Sequence, residues 1–239
     1  MDITSINVLL EVLQEALPVN KVFIAENKRD RRLEEIVRLC RAHKVVFQVV
    51  PPQVLERKAG LDHQGVFAEV SPIRFYELEE VLQDIKTGLI LILDGVEDTG
   101  NLGAIIRSAV AADVDAILLP QRHSAPINET VLKTSAGTLL RARIVQCGNL
   151  SQTLEVLKKN NFWVVGTVMD TEKAIPYHKF DYRVNTAIIM GNEHKGTSLL
   201  LQKNSDQLVY IPHSAKAESL NVSAATAVML FEALRQKKG

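Results

Sequence analysis

Residues 89–109 read LILILDGVEDTGNLGAIIRSA, and this stretch decides the fold. Its first five residues are apolar without a break, too short for a helix of ordinary length and too uniform for a strand with one wet face. Such a run suits a strand covered on both sides, as in the middle of a parallel sheet. A polar, glycine-bearing loop follows from Asp94. From residue 101 to 112 the apolar positions Leu102, Ile105, Ile106 and Ala109 return at helical spacing. Strand, loop and helix in direct succession form the building unit of a doubly wound α/β domain.

The same alternation continues downstream. Strands are expected at 116–119, 162–168, 186–190 and 207–211, and helices at 128–135, 150–160 and 223–236. Upstream lies a smaller α/β pattern: a helix over 3–17, a strand at 21–25 and an amphipathic helix over 31–43 with Leu33, Ile36, Val37 and Cys40 on one face. A strand at 45–50 ends on Pro51 and Pro52, a short helix fits 53–58, and a strand fits 65–70. The expected organisation is a domain over 1–70, a connector over 71–87 bearing Glu77, Glu79, Glu80 and Asp84, and a second domain over 88–239.

Composition narrows the class without choosing a function. Of 239 residues, 28 are basic and 28 acidic, so no global charge points to a polyanion. Locally, residues 21–44 hold a surplus of basic over acidic side chains, either a solvated helix face or a phosphate-contacting surface. Two cysteines, Cys40 and Cys147, cannot form a disulfide framework and have no metal-ligand spacing. No apolar run reaches the roughly 18 residues of a membrane span. A cytoplasmic protein without membrane or metal is the expectation.

Ligands of parallel sheets bind beyond the carboxyl ends of strands, and three such ends are heavily decorated. They are the loop from Asp94 to Gly103, the loop 191–196 (GNEHKG) and the stretch 211–223 (IPHSAKAESLNVS). The first has glycines at 95, 100 and 103, which do not match the dinucleotide-binding spacing, and no Gly-Lys-Ser/Thr makes it a phosphate loop. No Gly-x-Ser-x-Gly elbow supports a hydrolase, and the six histidines are scattered.

Taken together, DGVEDTGNLGAIIRSA, IIMGNEHKGTS and IPHSAKAESLNVSAATAVMLFEA resemble, in order, the three motifs of the SpoU/TrmH family of RNA ribose 2′-O-methyltransferases. Asn101, Gly103 and Arg107 match the first motif; Gly191, Asn192, Glu193 and Gly196 the second; Ile211-Pro212 and Ser219–Ser223 the third. His194 and Thr197 depart from the usual choices, as does the Thr4-Ser5-Ile6-Asn7 opening. The first domain is similar to the ribosomal-protein-like RNA-binding domain ahead of the catalytic domain in some members. That layout resembles the type acting on a guanosine ribose of 23S rRNA; a tRNA 2′-O-methyltransferase and a non-catalytic ribosome-assembly factor are the alternatives.

The resemblance implies a SPOUT-type, trefoil-knotted parallel-sheet domain, S-adenosylmethionine as cofactor without metal, and a homodimer. Asn101, Arg107, Glu193, Ser219 and Asn221 become the expected catalytic set. Met190, Gly191, Asn192, Gly196, Ile211, Leu220 and Ser223 become the expected cofactor contacts. In family accounts the residue at Arg107 acts on the ribose hydroxyl. Arginine stays protonated in proteins, so its chemistry favours a phosphate clamp over a proton acceptor. Asp94 and His213 receive no role.

Overall fold

A computed structural model describes residues 2–26, 30–61, 63–70, 73–169, 172–192, 196–214 and 219–239. Its chain divides into two compact units, Met1–Ile73 with Ile127–Arg141, and Arg74–Pro126 with Ala142–Gly239.

The first unit runs β1 (Asp2–Ile3), α1 (Ile6–Gln14), β2 (Lys21–Ala25), α2 (Arg31–Ala42), β3 (Val46–Val50), α3 (Pro52–Ala59) and β4 (Val66–Glu69). Its sheet has the order β1-β4-β2-β3, with β2 and β3 parallel and the β4 pairings antiparallel. Helix α1 buries Ile6, Val8, Leu9, Val12 and Leu13 and stops at Gln14, earlier than residue 17, where Ala16 takes φ = 52°. Asp30 caps α2 by accepting from the Arg32 amide at 2.9 Å, and Leu33, Ile36, Leu39 and Cys40 face inward. Burial pushes the Cys40 thiol up to about 11, which suits a core residue and not a nucleophile.

The second unit runs α4 (Leu78–Gln83), β5 (Leu89–Asp94), α5 (Thr99–Ala111) and β6 (Ala116–Pro120). After α6 (Glu129–Thr134), which counts with the first unit, come β7 (Ile144–Cys147), α7 (Leu150–Lys159), β8 (Trp163–Thr167) and β9 (Ala174–Pro176). The remainder is β10 (Thr186–Gly191), α8 (Leu199–Lys203), β11 (Gln207–Tyr210) and α9 (Val222–Lys238). Seven strands pair in the order β7-β6-β5-β10-β8-β11-β9, every pairing parallel. Strands β5 and β10 are central and buried, as their unbroken apolar runs require.

One buried carboxylate fixes where β5 begins. Asp115 accepts from the amides of Lys86 (2.9 Å), Thr87 (3.1 Å) and Leu89 (3.1 Å) and from the Thr87 hydroxyl (2.9 Å). Four donors on one carboxylate offset its desolvation and pin the chain as it enters the sheet. At the other end of β5, helix α5 starts at Thr99 and not at residue 101, because Asp98 caps it with a 2.7 Å bond from the Asn101 amide. Asn101 therefore sits inside the first turn, its side chain released from capping. Helices α5 and α9 pack against each other beside the sheet.

Candidate active site

The strand order brings sequence-distant carboxyl ends together. Gly191, closing β10, is in register with Asp94, closing β5, and β8 lies on the other side of β10. Side chains then tie the loops that leave these ends. The Asn192 amide donates to the Gly95 carbonyl at 2.8 Å, and the Ser198 amide donates to the Asp94 carboxylate at 2.8 Å. The Thr197 hydroxyl donates to the Thr167 carbonyl, and the Thr167 hydroxyl to the Ile189 carbonyl, both at 2.8 Å. Asp94, Thr167 and Thr197 thus lock the loops from three strands together.

The turn itself is closed by two backbone bonds, Asn192 N–H to Gly196 at 3.1 Å and Gly196 N–H to Asn192 at 2.8 Å. Its two glycines serve for different reasons. A Cβ on Gly191 would lie 2.0 Å from the Gly196 carbonyl carbon and the Thr197 nitrogen, so only glycine lets the backbones meet. Gly196 has φ = 64° with open space where a Cβ would go, so its requirement is the left-handed conformation.

A pocket partly open to solvent lies against these loops. Met190, Ile211, Leu220, Val222 and Ala225 give it apolar walls, with Thr167, Asn192 and Ser219 as polar groups. Of the expected cofactor contacts, Met190, Gly191, Asn192, Gly196, Ile211 and Leu220 line it; Ser223 does not and instead donates its amide to the Asn221 side chain at 2.9 Å. His213 also lines the cavity, its Nδ1 2.9 Å from the Ile211 carbonyl oxygen.

The expected catalytic set divides. Asn221 caps α9 and donates from its side-chain amide to Asn101 Oδ1 at 3.1 Å, joining the first motif to the third. Its chain neighbours Leu220 and Val222 line the cavity, as does Ser219. Arg107 is exposed, two turns into α5, its side chain makes no hydrogen bond or ion pair among the described residues, and it is not in the cavity wall. Glu193 lies outside the described residues, together with His194 and Lys195. Thr167, Val168, Met169 and Val209 join the wall unanticipated, because they follow or belong to β8 and β11, whose adjacency to β10 no local pattern announces.

Comparison with known proteins agrees with this layout. The model of RNA 2′-O ribose methyltransferase substrate-binding domains matches residues 6–76. The chain is 40% identical over 240 residues to the 23S rRNA (guanosine-2′-O-)-methyltransferase RlmB of Acinetobacter baylyi, covering 98% of this chain and 96% of that protein. It is 36% identical over 239 residues to the enzyme of the same name in Escherichia coli, covering 98% and 97%. The crystal structure of an AdoMet-bound rRNA methyltransferase from Sinorhizobium meliloti superposes with a TM-score of 0.74 at 25% identity, covering 98% of this chain and 86% of that one. The model of the SpoU rRNA methylase family matches residues 88–231, well over half of the sequence, and the chain belongs to that family.

Proposed function

We propose that this protein transfers a methyl group from S-adenosylmethionine to a ribose 2′-hydroxyl of RNA, a guanosine of 23S rRNA. One observation carries the reading: the second and third motif segments line a single cavity at the carboxyl ends of β8, β10 and β11, and Asn101 of the first motif is hydrogen-bonded to Asn221 of the third, whose chain neighbours line it. The near-full-length relatives that act on 23S rRNA guanosine supply the substrate.

The cavity fits the cofactor by its chemistry. Ile211 and Leu220 offer apolar faces to an adenine ring, and main-chain groups near Met190 and Gly191 can read its edge, a mix typical of small-molecule sites. When bound, S-adenosylmethionine supplies a methyl group on a sulfonium, whose thioether is already a good leaving group. The protein's own task is to align the hydroxyl, whose proton passes to the RNA phosphate beside it as the C–O bond forms and the methyl–sulfur bond breaks. Arg107 is exposed and its side chain is unpaired among the described residues, which suits clamping the RNA phosphate next to the reacting ribose and stabilising charge developing on the 2′-oxygen. Asn101 and Asn221 orient the ribose, Ser219 faces it from the cavity wall, and Glu193 orients Arg107 or Asn101. Ser223 supports Asn221 from behind.

A second copy of the chain completes the assembly, and the outward face of α9 supports this with exposed Ala224 and Phe231, the latter 47% accessible. The trefoil-knotted path and a cytoplasmic location belong to the same reading. Among the described residues, no helix is long and apolar enough to cross a membrane.

The test is transfer of labelled methyl from S-adenosylmethionine to 23S rRNA and, in parallel, to tRNA. Label on a 23S guanosine ribose is expected. Label on tRNA alone moves the substrate, and cofactor binding without transfer to either RNA overturns the enzymatic reading. For Arg107, a lysine at that position should leave low but measurable activity with the pH dependence unchanged. A profile displaced by about one pH unit would make Arg107 the proton acceptor.

A further inference from the structure

The end of the second unit's sheet opposite the cofactor cavity carries a surface that the methyl transfer does not use. Trp163 opens β8, whose last residue, Thr167, lines the cavity; four residue steps at about 3.3 Å put them roughly 13 Å apart along the strand. Although aromatic and the sole tryptophan of the chain, Trp163 is 51% exposed. Its ring lies 6.4 Å from that of Phe180, which in turn meets Tyr182 edge-on at 5.0 Å. Tyr182 is fully buried, so the aromatic row is anchored at one end and open at the other.

Phe180 also lines an open groove. Lys179, Arg183 and Arg235 stand along it, with Asp181 as its acidic side chain. Two of the cations are held in fixed orientations. Arg183 donates from Nε and Nη2 to Asp181 at 2.8 Å each, and Arg235 does the same to Glu232. Each guanidinium has five donor hydrogens, so three remain for an outside acceptor, and both groups are largely exposed. Lys179 makes no ion pair among the described residues. In a chain with no net charge, Lys179, Arg183 and Arg235 exceed Asp181 and Glu232 by one positive charge here, and the exposed indole joins this groove through Phe180.

We infer that Trp163 and Phe180, with Lys179, Arg183 and Arg235, form a second RNA-contacting surface that binds single-stranded RNA away from the ribose to be methylated. A half-exposed indole offers a face on which any base can stack, and oriented guanidinium forks match phosphate oxygens along the adjoining backbone. The surface reads RNA by stacking and charge, not by base edges, and it anchors the substrate while another segment enters the active site.

Because Trp163 is the sole tryptophan, its fluorescence reports contact directly. The full-length protein is titrated with a single-stranded RNA oligonucleotide of about ten nucleotides, a length within the usual range of such sites. Saturable quenching that weakens with salt is expected. Trp163→Ala and, separately, the double variant Lys179→Ala/Arg183→Ala should each weaken binding of labelled RNA about tenfold. Their affinity for S-adenosylmethionine, measured by calorimetry, should stay unchanged. Should Trp163→Ala fold poorly, the double variant alone decides, since both its side chains are exposed. Emission indifferent to RNA that the protein still methylates, or unchanged RNA affinity in the double variant, overturns the inference. Capture of a protein and not RNA at this surface does so too. Loss of methyl transfer to every RNA in the unaltered protein is a separate failure, of the proposed function itself.

Discussion

The two glycines of the 191–196 turn invite a paired perturbation. In Gly191→Ala the new methyl group would stand 2.0 Å from two backbone atoms and 2.3 Å from the Gly196 oxygen, and none of these can swing away as a side-chain tip could. Relieving the clash to ordinary contact means opening the turn by more than an ångström. Its two closing backbone bonds, at 3.1 and 2.8 Å, would then be lost, about 2 kcal/mol at roughly 1 kcal/mol each. The side-chain ties from Thr197 to Thr167 and from Ser198 to Asp94 belong to the same turn and add a comparable amount. The expected destabilisation is therefore about 3–5 kcal/mol, above the usual range for an overpacked core site. Gly196→Ala meets open space and suffers only the left-handed backbone penalty, about 1–2 kcal/mol. At roughly 2–4 °C per kcal/mol for a chain of this size, Gly191→Ala should melt about 6–20 °C below the unaltered protein and Gly196→Ala about 2–8 °C below it. Calorimetric titration with S-adenosylmethionine should show the same ranking, since both glycines line the cavity. Equal melting temperatures for the two variants, or full cofactor affinity in Gly191→Ala, would refute the close-approach argument.

Asn221→Ala removes both the α9 cap and the partner of Asn101, so it should lose about 1 kcal/mol of stability together with activity. Asn221→Ser restores the cap but cannot reach Asn101; chemical denaturation should show recovery while methyl transfer does not. Tyr182→Phe should be neutral or stabilising by about 1 kcal/mol in thermal unfolding, because the Tyr182 hydroxyl is buried with no hydrogen-bond partner among the described residues. A clear loss of stability would reveal a partner. Glu232 is held down to about 2 by its hydrogen bonds from Arg235, against an ordinary value of 4.5. A depressed carboxylate stabilises fully above its unfolded value and loses that contribution as pH falls through the folded one. Glu232→Gln should therefore flatten the fall in stability between about pH 4.5 and 2, and an unchanged acid limb in urea titrations would contradict it.

What the sequence made legible was whatever a residue's own neighbours determine. The run Leu89–Leu93 announced a doubly covered strand, and β5 is buried along it. The apolar spacing of Leu33, Ile36, Val37 and Cys40 marked the inner face of α2; Leu33, Ile36 and Cys40 are buried there, whereas Val37 is only half-buried and Leu39 takes the inner place. Elements lacking such a signal were missed. Strand β9 is three residues with Pro176 at its end, tolerable because β9 is an edge strand and pairs on one side. Helix α8 begins with three leucines, of which Leu199 and Leu200 are exposed, so its apolar run carries no helical period. In the site, the motif residues were legible as types, whereas the roles of Asp94 and Thr197 were not. Each bonds to a residue far away in sequence, and those distances close only because β10 inserts between β5 and β8.

That insertion also explains why the strand-end loops beside the site are tied so closely to one another. Neighbouring parallel strands hold their carboxyl ends side by side, so loops leaving β5 and β10 begin about 4.8 Å apart, the spacing of the sheet. Little room remains for side chains between them. Gly191 yields its Cβ to the turn backbone, Asn192 bonds the Gly95 carbonyl, and Asp94 bonds the Ser198 amide. Main-chain groups held in this way lose little freedom when a ligand arrives, and a preorganised site loses less affinity to ordering. The reaction calls for such a site. A sulfonium methyl needs no metal to activate its leaving group, so in-line alignment with the ribose oxygen becomes the main demand, and alignment is what rigid strand ends supply. In the proposed mechanism Arg107, exposed and with its side chain unpaired among the described residues, stays undocked until a phosphate binds.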